Sequence, residues 1–315
     1  MNWTEKRELV RVAKLYYFKG HTQAEIASQI GVSRPAISKL LQKAKDSGVV
    51  EIIIKDEMAN TVELEQQLEK TFSLKEVIVV PVDDHANEEM TKQMVAKAAA
   101  GYIAGNIKDV KKIGISWGET LFHVVNEFPY EKYADITVLP LVGGIGRQRI
   151  EIHSNQLAYQ LSQKIGGKYE FLYAPALVES SSLKNQLLDS TDIRSLLNEI
   201  KRVELAIVGI GNPYDSTIAE MGYLKHEDLL ELKKNKAIGD INSRFINRDG
   251  EEIPSPINNR VIGIEISDLR NIPSVVAVAS GIKKAEAIES ALKGNCFTSL
   301  IIDEPTAHRI LYSLS

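Results

Sequence analysis

Ile113-Gly-Ile-Ser-Trp-Gly-Glu-Thr-Leu121 runs from a short apolar strand, through a turn of small residues, into the first turn of a helix. The succession recurs along the chain. Strand-like apolar runs cover Val77–Val82, Ile113–Ser116, Ile136–Val142, Tyr169–Tyr173, Leu205–Ile210, Val261–Ile266 and Val275–Ala279. Between them lie helical patterns at Met90–Ile103, Gln156–Ile165, Lys184–Asn198 and His226–Lys234. Such alternation predicts an α/β domain built on a mostly parallel sheet. The runs are nearly continuous in apolar residues, as strands covered on both faces require.

Small-molecule sites in such sheets lie beyond the carboxyl ends of the strands. Glycine-rich and polar clusters fall there: Ser116–Thr120, Val142-Gly-Gly-Ile-Gly146, Val208-Gly-Ile-Gly-Asn212, Ile238-Gly-Asp240 ahead of Ser243-Arg244, and Ala279-Ser-Gly-Ile-Lys-Lys284. Their polar side chains, Thr120, His153, Asn155, Asp240, Arg244 and Lys284, suit a hydroxyl-rich ligand with or without an anionic group. Backbone N–H groups at the helix start after Gly118 favour an anion.

The 315 residues suggest about two domains. The net charge of −4 conceals a split. Residues 1–55 hold ten Lys and Arg against five Asp and Glu, a net of +5, and the remaining 260 hold 28 against 37, a net of −9. A basic end on an acidic body points to a nucleic-acid-binding module. One cysteine, Cys296, excludes an internal disulfide framework and a thiolate zinc cluster. No apolar run approaches the ~18 residues that cross a bilayer, and no signal sequence opens the chain, so a cytoplasmic protein is expected.

Within the basic end, Leu9–Phe18 is apolar at helical spacing and Gly20 ends it. Thr22-Gln-Ala-Glu25 is a capping-box pattern that opens a short helix ending at Gly31. Ser33 is an N-cap for a third helix, with Pro35 in its first turn and Ile37, Leu40, Leu41 and Ala44 as its buried stripe. Helix, glycine turn, helix is the helix-turn-helix layout. Exposed on the third helix are Arg34, Ser38, Lys39, Gln42, Lys43 and Lys45, donors and cations suited to base edges and phosphates. Arg34, Pro35, Ser38 and Lys39 are the base-facing candidates, Lys43 a further contact, and Gln23 a phosphate contact. After Gly48, Val49–Lys55 reads as a strand and suggests a wing. The expected organisation is a winged helix-turn-helix over 1–55, a linker helix over 56–75 and a larger α/β effector domain over 76–315.

Thr22-Gln-Ala-Glu-Ile-Ala27 with Gly31-Val-Ser-Arg-Pro-Ala-Ile-Ser-Lys-Leu-Leu41 resembles the N-terminus of the SorC family of sugar-responsive bacterial regulators. Ser116–Thr120, Gly143-Gly144, Ala174-Pro175, Gly209–Gly211, Gly239–Phe245 and Ser280–Lys284 are similar to its effector domain in order and spacing. The resemblance implies a body related to sugar-phosphate isomerases and glucosamine-6-phosphate deaminases. It implies a homotetramer or homodimer that binds double-stranded operator DNA and responds to a small carbohydrate, phosphorylated or free. By that resemblance Gly118, Glu119, Thr120 and Lys284 fall on the phosphate side, His153, Asn155 and Asp240 face the sugar, and Gly143, Gly144 and Gly211 complete the expected effector-binding residues. Two positions depart from the pattern. Val142 stands where relatives carry a basic residue, and Glu119 stands where a small or hydroxyl residue suits phosphate better. Arg147 or Arg149 could restore the missing charge, or both could be solvated surface residues.

The reading that follows is a DNA-binding transcriptional regulator of carbohydrate genes. The alternative is an isomerase- or deaminase-like enzyme with an appended nucleic-acid-binding module, for which Asp240 or His153 would serve as base. No nucleophile elbow, Walker loop or zincin helix occurs, so no catalytic residue, metal ligand or cofactor is assigned. Asp83-Asp-His85 reads as a solvated turn, Cys296 as an inert thiol and Trp117 as packing or a sugar-stacking wall.

Overall fold

The computed structural model describes residues 3–50, 59–83, 85–144, 146, 148–214 and 222–314. The chain divides into two compact units, Met1–Asp56 and Glu57–Ser315. In the first, α1 (Trp3–Ala13) continues through a π-helical turn, Lys14–Phe18, and is followed by α2 (Gln23–Ile30) and α3 (Arg34–Asp46). The caps explain these boundaries. The Glu25 backbone N–H donates to Thr22 Oγ1 at 3.3 Å, and Glu25 Oε2 accepts from the Thr22 N–H at 2.7 Å, closing the capping box. Gly31 closes α2 in the left-handed region, and Ser33 Oγ accepts from the Ala36 N–H at 3.4 Å at the start of α3. Val12, Leu15, Ile26, Ala27, Ile37 and Leu41 form one small core between the three helices. Of the expected wing strand, Val49–Lys55, residues 51–55 lie outside the described residues.

The second unit begins with α4 (Ala59–Phe72), expected as a linker. Leu64, Leu68 and Phe72 are buried in the body's core, so this helix is one of its covering layers. Next come β1 (Glu76–Val80), α5 (Glu88–Asn106), β2 (Lys112–Ile115), α6 (Glu119–Glu127), β3 (Thr137–Pro140), α7 (Ser154–Ile165) and β4 (Lys168–Tyr169). Then follow α8 (Ser181–Leu188), α9 (Thr191–Ile200), β5 (Leu205–Gly211), α10 (His226–Lys234), β6 (Gly239–Ile241) and β7 (Arg244–Ile246). The last elements are α11 (Ile266–Leu269), β8 (Ser274–Ala279), α12 (Ala285–Lys293), β9 (Ser299–Asp303) and α13 (Glu304–Ser313).

The main sheet has the order β1-β9-β8-β5-β2-β3-β4 and every neighbouring pair in it is parallel. β6 pairs antiparallel with the end of β5 and forms a hairpin with β7. Apolar side chains of α5, α6 and α7 fill one face of the sheet. Those of α4, α9, α12 and α13 fill the other. With both faces covered, the strands need apolar residues at successive positions, and that is what the uninterrupted runs record.

Four expectations change. Lys184–Asn198 is two helices: Asp189 and Ser190 break it, the latter extended at the start of α9. Val261–Ile264 is largely buried but makes only single antiparallel bridges, Gly263 with Val142 and Val261 with Leu177, and Ile266 already opens α11. Of Tyr169–Tyr173, only Tyr169 joins a strand. β9, unforeseen, sits between β1 and β8.

A candidate effector cavity at the switch point and a candidate DNA-reading helix

From β2 the chain moves outward through β3 to β4, whereas from β5 it moves the opposite way through β8 and β9. The order reverses between β2 and β5, and such a switch point opens a crevice beyond the strand ends. A cavity of about 660 Å³ lies there. Segments following β1, β2, β5, β8 and β9 line it, together with Asp240 and Asn242 of the β6–β7 hairpin.

After β2 the chain turns through Ser116, Trp117 and Gly118 into α6. Gly118 has φ +121° and ψ 167°, a conformation essentially confined to glycine. It caps α6 and turns that helix's first residues, Glu119, Thr120 and Leu121, toward the cavity. The β6–β7 turn is clamped against this segment. Asn242 and Ser243 both have positive φ, +54° and +63°, as a two-residue hairpin requires. Ser116 Oγ donates to Asn242 Oδ1 at 2.9 Å, and Trp117 Nε1–H donates to Ser243 Oγ at 2.9 Å.

Gly211 of β5 pairs with Asp240 of β6. A Cβ on Gly211 would overlap Asp240 Oδ1, so glycine is what lets the carboxylate lie against the strand. Asp240 is buried, and burial pushes its carboxyl up to about 6 despite the opposing pull of the Lys284 charge and of a hydrogen bond from the Ser243 backbone. Across the cavity, Asp303 Oδ1 caps α13 through Thr306, and its Oδ2 accepts from the Gly281 N–H at 2.8 Å. This carboxylate thereby fixes the turn that carries Lys284 to the cavity wall.

Glu119 is held by two cations. Lys92 of α5 donates to its Oε2 at 2.7 Å, and Arg149 pairs with its Oε1. Burial would raise the Glu119 carboxyl, but the hydrogen bonds and charges of Lys92 and Arg149 outweigh that and hold it at about 2. Lys92 also meets Glu89 at 3.4 Å, His123 meets Glu89 at 3.1 Å, and Arg149 meets Glu151 at 3.6 Å.

Of the ten residues expected in the effector site, six line this cavity: Gly118, Glu119, Thr120, Gly211, Asp240 and Lys284. The other four lie apart from its lining and serve the framework. The Gly143 N–H donates to Ile262 O and the Gly144 N–H to Ala174 O. The Asn155 side-chain amide donates to Leu172 O at 3.1 Å while its carbonyl accepts from the Leu172 N–H at 2.9 Å, the signature of a backbone clasp. His153 is buried, with Nε2 3.0 Å from Gln148 O, and burial lowers its pKa. Arg244 is buried beneath the hairpin, paired with Glu252 at 2.7 Å and bonded to the Ile264 and Asn258 carbonyls. Arg147 lies outside the described residues, as does Asp84 of the Asp83–His85 turn. Sequence reasoning missed Lys92, Asn242 and Asp303. Cys296 is buried, and burial pushes its thiol up to about 12, consistent with an inert thiol.

In the first unit, Arg34, Pro35, Ser38, Lys39 and Lys43 are exposed on α3, and Gln23 is half-buried at the start of α2. Lys43 stands 4.0 Å from Glu5 in an exposed pair, which at such exposure leaves the lysine available to other partners. Among the described residues no helix is long and apolar enough to cross a membrane.

The sugar-binding domain family model matches residues 56–312. The deoxyribonucleoside regulator of Bacillus subtilis (strain 168) is 31% identical over 314 residues, covering 98% of this chain and 99% of the relative. The sorbitol operon regulator of Klebsiella pneumoniae is 28% identical, covering 98% and 99%. Among solved structures, a DeoR family transcriptional regulator from Listeria monocytogenes superposes with a TM-score of 0.76 at 43% identity, covering 80% of this chain and 99% of that one. The full-length sorbitol operon regulator SorC from Klebsiella pneumoniae gives 0.75 at 28% identity, covering 97% and 98%. These relatives are transcriptional regulators rather than enzymes, and the two regulators compared by sequence and the full-length SorC structure align along both units. The chain belongs to the SorC family and is a transcriptional regulator with a sugar-binding domain.

Proposed function

We propose that this regulator reads double-stranded operator DNA with α3 and sets its operator affinity by binding a sugar or sugar phosphate in the switch-point cavity. Arg34, Pro35, Ser38 and Lys39 contact base edges, while Lys43 and Gln23 contact phosphates. Gly118, Glu119, Thr120, Gly211, Asp240 and Lys284 form the effector site. The observation that carries the reading is the convergence of these six residues, drawn from the ends of β2, β5 and β8 and from the β6–β7 hairpin, on one cavity of about 660 Å³. Its polar walls offer hydrogen-bond acceptors and donors to hydroxyls, and the N-terminus of α6 with Lys284 offers a place for one phosphate. A deoxyribonucleoside regulator and a sorbitol operon regulator among the relatives fit an effector of this chemistry. Operator half-sites related by a two-fold axis call for at least a homodimer, and a homotetramer would pair two such readers. The protein acts in the cytoplasm, where its DNA lies.

The test is a thermal-shift screen of sugars, polyols and their phosphates on the wild type and on Lys284→Ala. A ligand at 100 times its Kd stabilises the wild type by about 2.7 kcal/mol. The variant should lose the response to a phosphorylated effector while still binding operator, which establishes that it is folded. No stabilisation of the wild type by any compound would overturn the reading.

A further inference from the structure

The two edges of the main sheet are finished differently. At one edge, β1 is closed by its own chain. Glu69 and Glu65 of α4 accept from the Val77 and Val79 N–H groups, each at 2.9 Å. An edge filled in this way offers no ladder to another chain. At the other edge, β4 has no such cover. Lys168 and Glu170 turn their N–H groups inward, to the Ile136 carbonyl at 2.8 Å and the Val138 carbonyl at 3.2 Å. Tyr169 and Phe171 alternate with them and point their backbone groups outward. Among the described residues neither backbone N–H finds a hydrogen-bond acceptor, and neither C=O finds a donor.

The side chains of this edge alternate too. Lys168 and Glu170 are exposed, and among the described residues neither is in an ion pair. On the other face an aromatic ladder runs from Tyr159 of α7 through Tyr169 and Phe171 to Tyr173, with ring centroids 5.0, 5.1 and 5.9 Å apart. Tyr169 is 39% exposed and Tyr173 82%. At Leu172 the Asn155 clasp takes up the backbone, and the regular edge ends.

We propose that this edge is the face on which a second copy of the chain docks, the two β4 strands pairing antiparallel about a two-fold axis at Tyr169. The inference rests on the homodimer that paired operator half-sites call for, and supplies its contact surface. Charge selects the register. About Tyr169, the Tyr169 N–H of each copy donates to the Tyr169 C=O of the other, and Lys168 of each copy stands opposite Glu170 of the other. An axis at Glu170 sets two carboxylates against each other. An axis at Phe171 sets Glu170 against Leu172, whose backbone the Asn155 side chain already holds. In the Tyr169 register the two aromatic ladders meet on one face and add apolar contact to the backbone bonds. The interface is isologous, so it closes at two copies and leaves no free edge.

The experiment follows the full chain by sedimentation over a range of concentrations and by hydrogen exchange resolved to single amides. Lys168→Glu and Glu170→Lys each set like charges opposite one another twice per dimer, and each should weaken association on the order of tenfold. The double variant Lys168→Glu with Glu170→Lys restores opposite charges in the same register and should return to within about threefold of the wild type. Both side chains are exposed, and circular dichroism confirms that the variants fold. In the assembled wild type the Tyr169 amide should be protected, whereas in a monomer it has no acceptor and exchanges freely. A freely exchanging Tyr169 amide in an assembled wild type overturns the proposal. So does a double variant no tighter than the single ones. The homodimer then forms through another face, and the reading of paired half-sites stands. Where assembly is too tight for sedimentation to resolve a tenfold change, the exchange of Tyr169 decides. A wild type that stays monomeric at every concentration, with and without operator duplex, overturns the homodimer reading itself, and the proposal with it.

Discussion

Asp240 and Glu119 show how one cavity gives two carboxylates opposite behaviour. Asp240 lies buried against Gly211, and burial lifts its pKa from 3.8 to about 6. Glu119, ringed by Lys92 and Arg149, falls from 4.5 to about 2. The signs follow. Folded Asp240 holds a proton that the unfolded chain has already lost, so its favourable contribution is complete below about 3.8 and is lost as the pH rises through about 6. For Glu119 the contribution is present above about 4.5 and is lost as the pH falls toward 2. Between pH 4.5 and 6.5 Asp240 therefore titrates in the folded protein while folded Glu119 stays ionised, and comparison with Asp240→Asn isolates its part. At 1.36 kcal/mol per unit, two units correspond to about 3 kcal/mol. Asp240→Asn should flatten the fall in wild-type stability across that range by up to this amount, in urea unfolding followed at several pH values without ligand. Parallel curves for the two proteins would mean that Asp240 meets water in the folded state.

The elements that carry the site depend on two glycines for different reasons, which makes them separable. A methyl group on Gly118 meets no atom within 4 Å, so its cost is conformational, from φ +121°. Gly118→Ala should lose about 1–3 kcal/mol of stability and loosen the start of α6. At Gly211 the backbone is ordinary and the obstacle is Asp240 Oδ1 itself. Gly211→Ala should push that carboxylate aside and abolish the sugar response at a smaller loss of stability. Equal losses of stability and response in both variants, by unfolding and calorimetry, would erase the distinction. These turns were legible in the sequence because their causes are local. Thr22 with Glu25, Ser33 ahead of Pro35, and glycine after a strand each act within four residues. The β6–β7 hairpin was not legible, since two three-residue strands are too short to show a period. Lys92 was invisible for another reason: it lies 27 residues before Glu119, and only the packing of α5 beside α6 brings them together. His153 and Asn155 sit in a polar cluster after a strand, as site residues would, yet Asn155 spends its amide on the Leu172 backbone. Composition cannot tell a clasp from a ligand contact.

At the scale of the whole chain, the charge split of +5 over residues 1–55 against −9 over the rest separates two tasks. On the proposed reading, a basic helix surface gathers phosphates and the cavity of an acidic body gathers a sugar. If the two tasks are coupled, the coupling is a free energy, and it is reciprocal. Any factor by which the effector changes operator affinity must equal the factor by which operator changes effector affinity. Couplings of this kind are typically about 1–3 kcal/mol, roughly 5–150-fold. The full chain should therefore bind its sugar with an affinity shifted by one common factor when saturated with operator duplex, measured by calorimetry. The same factor should emerge from operator titrations with and without sugar, measured by fluorescence anisotropy. The sign of the shift separates the two modes of control, since an effector that weakens operator binding must itself be weakened by operator. On the proposed reading, Arg34→Ala should lower operator affinity in both ligand states and leave the factor unchanged, because the proposed DNA contact is lost without altering the equilibrium that the sugar biases. A factor that differs between the two titrations would mean that operator or sugar also changes the assembly state, which equilibrium sedimentation at the same concentrations would detect.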